Sequence, residues 1–290
     1  MAGRSATERI AVIIPCFNDG ATVGEAVESA RSQQPAELVV VDDGSNEAGT
    51  IAALADLERD GVRIVRQENA GLSAARMAGV RATTAPYVFP LDADDLVAAG
   101  ALRPLAEALD SHPEAVVAWG DEVTFGNVAW HRPVPKVLDP WRITYLNEIP
   151  GGLIRREALL AVGGWQLRNG YEDWDLWMAF AERGWHGVSI DRVMLHYRIH
   201  GPRMLTATSV PLHAGLYREL QRRHARLFEQ RRRNWRRSPA PGRMKLALPL
   251  ISRLPVPLHG KHRLYHLATH PVRLPLLWLR RVIPQPASLS

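Results

Sequence analysis

Short apolar runs alternate, over the first 120 positions, with segments whose apolar residues recur every three or four places. The runs are 10–14 (IAVII), 38–41 (LVVV), 62–65 (VRIV), 87–89 (YVF) and 115–119 (AVVAW). They are continuous rather than alternating, which predicts strands buried on both faces. Between them, 21–33, 48–58, 72–82 and 99–110 carry helical spacing, as in Val23, Ala26, Val27 and Ala30. Strand and helix in strict alternation predict an α/β fold, a mostly parallel sheet with helices on both faces. Ligands of such sheets sit beyond the carboxyl ends of the strands. Three of those ends are polar: Pro15-Cys16-Phe17-Asn18-Asp19, Asp42-Asp43-Gly44-Ser45 and Asp92-Ala93-Asp94-Asp95. They are expected to converge on one crevice.

The pattern loosens after about residue 120. Residues 126–142, rich in Pro and Trp, read as an extended loop or hairpin. A helix at 155–162 ends at Gly163-Gly164-Trp165, a second runs over 173–183, and a strand at 192–198 leads to His200-Gly201-Pro202. The last 70 or so residues read as one charged helix (212–235), a break at 238–242, and Pro-interrupted basic and apolar pieces.

Composition narrows the class. With 46% apolar and 23% charged residues in 290, the chain is globular rather than disordered. A single cysteine, Cys16, excludes a disulfide framework and a multi-cysteine zinc site. No apolar run approaches the roughly 18 residues of a membrane span, and the first residues show no apolar signal segment, so a cytoplasmic location is expected. The net charge of +6 hides a split: 1–217 carry 19 Lys/Arg against 28 Asp/Glu, and 218–290 carry 17 against two. An acidic domain over 1–217 and an arginine-rich extension over 218–290 follow. Arginine interleaved with Leu and Trp there suits either a solvated face or an anionic membrane surface, the inner face of the plasma membrane in this reading. No recognised nucleic-acid motif accompanies the charge, so no nucleic-acid partner is expected.

The acids carry the candidate chemistry. Three carboxylates at 92–95 repel one another, and a divalent cation bridging to a diphosphate offsets that; an acidic helix N-cap before Leu96 is the alternative. Asp42-Asp43-Gly44-Ser45 reads as a turn or as an acid for a base or ribose hydroxyl. No Gly-x-Gly-x-x-Gly or Walker pattern occurs, which argues against NAD and P-loop chemistry.

IPCFNDGATVGEAVESARSQ, VVVDDGS, ENAGLSAARMAGVRATTAPYVFPLDADD and GYEDWDLW, in that order over residues 10–200, resemble the successive motifs of family 2 glycosyltransferases of the GT-A fold. The resemblance implies a nucleoside-diphosphate sugar donor, Mg²⁺ or Mn²⁺, and a glycan or lipid-linked acceptor. It puts Pro15 and Asn18 on the first nucleotide-binding loop, Asp42 on the base with Asp43 beside it, and Arg76 near the nucleotide. Met77 stands where the family often has Asn. Asp92-Ala93-Asp94 matches the DxD motif, with Asp94 on the metal and Asp92 nearer the ribose. Of the acidic pair Glu172-Asp173, Asp173 is implied as the catalytic base, a role that inverting sugar transfer requires of some carboxylate; a helix N-terminal acid fits its position equally. His200 touches the metal or diphosphate in similar enzymes, or is a surface histidine here. Arg198 and Arg203 pair with phosphates or with the acidic body.

Trp165, Tyr171, Trp174 and Trp177 surround the acidic pair, Trp165 as the acceptor-facing candidate and Trp177 as core. The Gln-x-x-Arg-Trp of the processive synthases is missing, which favours transfer of a single sugar in cell-surface glycan or glycolipid assembly. Loop shape sets donor and acceptor, and 126–150 and 163–172 are expected to carry it. Two other classes remain open on sequence: a non-catalytic nucleotide-sugar-binding or membrane scaffold protein, and a sugar-nucleotide pyrophosphorylase, whose glycine-rich basic signature 15–20 lacks.

Overall fold

A computed structural model describes residues 6–269 except 128, 133 and 201–210. Arg203 and the apolar-basic stretch at 274–281 therefore lie outside the described residues. The chain divides into two compact units, Met1–Gln230 and Arg231–Ser290.

The first unit begins with the expected alternation: β1 (Ile10–Cys16), α1 (Val23–Arg31), β2 (Glu37–Asp42), α2 (Ala48–Arg59), β3 (Arg63–Arg66), α3 (Leu72–Ala82) and β4 (Tyr87–Pro90). These strands stack in parallel in the order β3-β2-β1-β4. Every residue of β1 is buried, as its unbroken apolar run requires. β3 lies at the edge and ends in exposed Arg63 and Arg66, charges that discourage further pairing.

Beyond β4 the sheet becomes mixed. β5 (Leu96–Val97), α4 (Leu102–Ser111), β6 (Ala115–Gly126), β7 (Trp130–Arg132), β8 (Leu153–Arg155), α5 (Arg156–Ala161), α6 (Glu172–Glu182) and β9 (His186–Ile199) follow. The order continues β4-β8-β6-β9-β5, with β7 on β6. β8 inserts antiparallel between β4 and β6, whereas β6 and β9 run parallel over most of their length. The whole remains a large, mostly parallel sheet flanked by helices. β7 pairs antiparallel with β6, which makes the start of 126–142 a hairpin arm.

Three expectations change. β1 continues through Pro15 to Cys16, so Pro15 is a buried strand residue paired with Val41 rather than a loop residue. A central-strand proline is tolerated there because β1 has already parted from β4, whose last partner is Ile13. The helix expected from residue 99 starts at Leu102, and Leu96-Val97 forms strand β5 against β9. Asp94 and Asp95 thus precede a strand, and the helix-cap reading of 92–95 falls. The charged helix of 212–235 is three helices, α7 (His213–Arg223), α8 (Ala225–Glu229) and α9 (Arg231–Arg237). α7 and α8 belong to the first unit, since Leu220 and Leu227 join its core. The compact unit therefore reaches Gln230, past the charge step at 217/218, because apolar packing and not net charge sets the break.

The second unit contains α9, α10 (Gly242–Arg253) and α11 (Leu258–Thr269). α10 packs on α11 and buries Met244, Leu248 and Ile251 on one face. Trp235 of α9 donates from Nε1 to the Lys245 carbonyl at 3.4 Å.

Candidate active site at the carboxyl rim of the sheet

β1, β2 and β4 end side by side, so the loops that leave them share one rim. The loop after β1 turns through Asn18, whose φ of 61° is left-handed, a conformation Asn tolerates. Asn18 ties this loop to the next: its Oδ1 accepts from the Asn46 and Glu47 N–H groups at 2.9 and 3.1 Å, and its Nδ2 donates to Asn46 Oδ1. After β2, Asp42 Oδ1 accepts from the Ser45 N–H at 2.9 Å, and Oδ2 has no partner among the described residues. Asp43 is 3% exposed. Its two oxygens accept from Gln67 Nε2 and from the Ala70 and Gly71 N–H groups at 2.7–2.8 Å. In this structure Asp43 orders the 67–71 loop that starts α3. The two loops press so closely that a Cβ on Gly44 would lie 2.8 Å from Asn69 N, and its φ of +73° also demands glycine.

α3 delivers Arg76 to the centre of the rim. Its guanidinium is buried and donates to Asp92 at 2.8 Å, Asp173 at 3.0 Å and Glu172 at 3.3 Å. Burial opposes the charge, but the three carboxylates more than offset it and hold the guanidinium firmly protonated. Arg76 Nε is buried with no hydrogen-bond partner among the described residues. Arg76 thus joins loops that lie 16 and 97 residues further along the chain. Met77 next to it packs on the 163–164 turn, where a Cβ on Gly164 would meet its Sδ at 2.2 Å.

Glu172 and Asp173 open α6. The residue before them, Tyr171, has a left-handed φ of 62°, rare and strained for a bulky side chain. Trp165 Nε1 donates to Asp173 Oδ1 at 2.8 Å, leaving Oδ2 without a partner among the described residues. The Asp173 side chain is 22% exposed. Burial raises its carboxyl above the usual range, with Arg76 pulling the other way. Burial also pushes Glu172 up to about 7, helped by the Asp173 charge and opposed by Arg76. Trp165 is 3% exposed, and Tyr171, Trp174 and Trp177 are buried too. Trp165 therefore orients Asp173 and does not offer an open face to an acceptor; Trp177 is core, as its spacing predicts.

The third loop carries Asp92, Asp94 and Asp95. His200, at the end of β9, places Nε2 2.9 Å from Asp94 Oδ2. Burial raises Asp94, Asp92 adds to it, and His200 opposes it. Asp95 is buried and accepts from the Arg198 N–H at 2.8 Å. Arg198 meets the acidic body, donating to Glu25 and to the Asp94 carbonyl at 2.8 and 2.7 Å. Asp19, legible in the sequence only as part of a polar strand end, joins this group: burial raises it, and the Asp94 and Asp92 charges add to that. Its signal was its place as the third residue past a buried strand, on the same rim as the DxD loop.

The donors at this corner suit a hard divalent cation. Among the described residues no three His, Cys, Asp or Glu side chains form a closed metal cage. A cation that keeps waters and substrate phosphate oxygens needs only one or two protein ligands, and a carboxylate facing an imidazole supplies two.

The chain is similar to known proteins. The family model described as glycosyl transferase family 2 matches residues 11–164. An uncharacterized glycosyltransferase of Mycobacterium tuberculosis is 31% identical over 192 residues, 64% of this chain and 85% of that protein. Succinoglycan biosynthesis protein ExoU of Rhizobium meliloti is 36% identical over 99 residues, 33% of this chain and 29% of its own. The structure of S. aureus TarS 1–349 in complex with UDP-GlcNAc superposes with a TM-score of 0.60 at 18% identity, covering 90% of this chain and 79% of that one. The chain spans 44% of a longer TarS chain. The family match takes in all three rim loops and Arg76 and covers more than half of the residues, so the chain belongs to glycosyl transferase family 2 and is a glycosyltransferase.

Proposed function

We propose that the enzyme transfers one sugar from a nucleoside-diphosphate sugar to an acceptor hydroxyl, with inversion, in the assembly of a cell-surface glycan or glycolipid. The observation that carries this is Asp173: a raised carboxylate with one oxygen fixed by Trp165 and Arg76 and the other without a partner among the described residues. A base with pKa lifted toward the working pH is the better proton acceptor.

In this reading Asp42 receives the base or ribose through its unpartnered oxygen, and the Asn18 loop, running on from Pro15, closes over the nucleotide. Asp43 holds the 67–71 loop in place. Asp92, held by Arg76, faces the ribose. Asp94 and His200 would hold Mg²⁺ or Mn²⁺, which when bound neutralises the diphosphate leaving group. Asp173 Oδ2 takes the acceptor hydroxyl proton. The freed oxygen lone pair forms the new bond to the anomeric carbon, and the bond from that carbon to the diphosphate oxygen breaks with its electron pair on the diphosphate. Arg76 keeps Asp173 ionised until the proton arrives, and the negative rim favours the positive charge that develops on the sugar.

The donor in the TarS complex makes UDP-GlcNAc the first candidate to try. Among the described residues no helix is long and apolar enough to cross a membrane. We place the enzyme in the cytoplasm with its basic extension on the inner membrane face, where lipid-linked acceptors are presented. A thermal-shift screen of nucleotide sugars with Mn²⁺ tests the donor class, because a ligand bound only by the folded state raises the melting temperature by mass action. A rise with at least one nucleoside-diphosphate sugar, abolished by chelator, is expected; no rise with any of them would overturn it.

A further inference from the structure

The second unit presents a surface that packing within a globular protein leaves unexplained. α10 is apolar on two opposite faces. Met244, Leu248 and Ile251 are buried. Leu246 and Leu250, one turn apart on the opposite side, are 69% and 63% exposed. The same outer side carries exposed Arg243 and Arg253, and the chain leaving the helix adds exposed Leu254 and Val256. A helix whose outer face faces only water is normally polar there. The charge around it is one-signed: 231–269 hold ten Lys/Arg and no Asp or Glu. Leucines rimmed by arginines, in a stretch that holds no acid of its own, match an apolar layer beneath a negative surface.

We propose that the outer face of α10 inserts into the headgroup layer of an anionic lipid bilayer, with Leu246 and Leu250 below the phosphates and Arg243 and Arg253 pairing with them. This deepens the membrane part of the reading above by naming the contact and its lipid chemistry. The Lys/Arg stems snorkel while the leucines go down. The helix lies in the plane of the surface.

Flotation of the full-length protein with phosphatidylcholine vesicles and with vesicles that also contain phosphatidylglycerol tests it, without any turnover being measured. Wild type is expected to float only with the anionic vesicles, and less at high salt. Leu246→Ser with Leu250→Ser should lower partitioning by about a hundredfold. Arg243→Ser with Arg253→Ser should lower it by about thirtyfold at low salt, equivalent to about 1 kcal/mol per charge. Leu246→Ala with Leu250→Ala keeps helix propensity and must also lose binding, and the melting temperatures of all variants must match wild type. Wild type that never floats, as when this chain's own acidic body or its last residues cover the face, overturns the proposal. So does a leucine variant that floats like wild type, or one whose only change is from dimer to monomer in gel filtration. The donor-induced thermal shift, read on the same wild-type sample, reports separately on the donor reading.

Discussion

Asp173 and Asp175 stand two residues apart on α6 and live in opposite electrostatic worlds. Asp175 is buried, and both its oxygens are saturated. Arg223 donates to them at 2.7 and 3.0 Å, and His224 Nε2 lies 2.9 Å from one. Burial pushes its carboxyl up, but the bonds from His224 and Arg223 win and hold it below the usual range. Asp173 shares Arg76 with Glu172 and Asp92, keeps one oxygen free, and is held above the usual range. One cation among three carboxylates leaves charge unbalanced for a ligand to complete. An arginine and a histidine on one carboxylate leave neither oxygen open. In the mechanism proposed above the first arrangement serves chemistry; the second pins α7 and α8 to α6.

The contrast can be broken from either side. Asp173→Asn should lower turnover by about a hundred- to ten-thousandfold with donor affinity kept; the rate of nucleoside-diphosphate release with an active acceptor reads this, and a full rate would remove Asp173 as the base. Arg76→Met strips the shared cation from three acids and should cost about 3–5 kcal/mol in urea unfolding, as removal of one partner from a buried ion cluster does. Asp175→Asn should cost about 2 kcal/mol, the loss of charged hydrogen bonds to a partly exposed arginine, with the rate well below the melting temperature almost unchanged.

The two sites also differ in their response to pH. Asp175 is depressed in the fold, so its stabilisation is present above the ordinary aspartate pKa and is lost as pH falls through the folded value. Glu172 is raised from 4.5 to about 7. Its contribution is therefore full below 4.5 and lost as pH rises toward 7. Thermal melts across this range should show Asp175→Asn flattening the acid limb and Glu172→Gln removing the loss on the neutral side. Identical profiles for both variants would erase the distinction between the two sites.

How far each site can be read in sequence follows from where its partners sit. The parallel half was legible because its strands are unbroken apolar runs, and the helix expected at 72–82 is observed at Leu72–Ala82. β5 was not, since two residues carry no period, and its pairing with β9 depends on a segment about 100 residues away. The rim acids were visible as strand ends. The role of Trp165 was not, because an aromatic after two glycines reads the same whether it faces water or a carboxylate. Asp175 was hidden for the same reason: its clamp comes from Arg223 and His224, in a stretch whose arginines read as a solvated face or a membrane-facing surface.

The claim beneath all of this is that the negative rim grips an activated sugar through a cation at Asp94 and His200. Isothermal titration of a nucleoside-diphosphate sugar with Mn²⁺ into wild type and Asp94→Ala tests it most directly. The account predicts binding to wild type that chelator abolishes, and none to Asp94→Ala at the same concentrations. Equal affinity in the two proteins would contradict it.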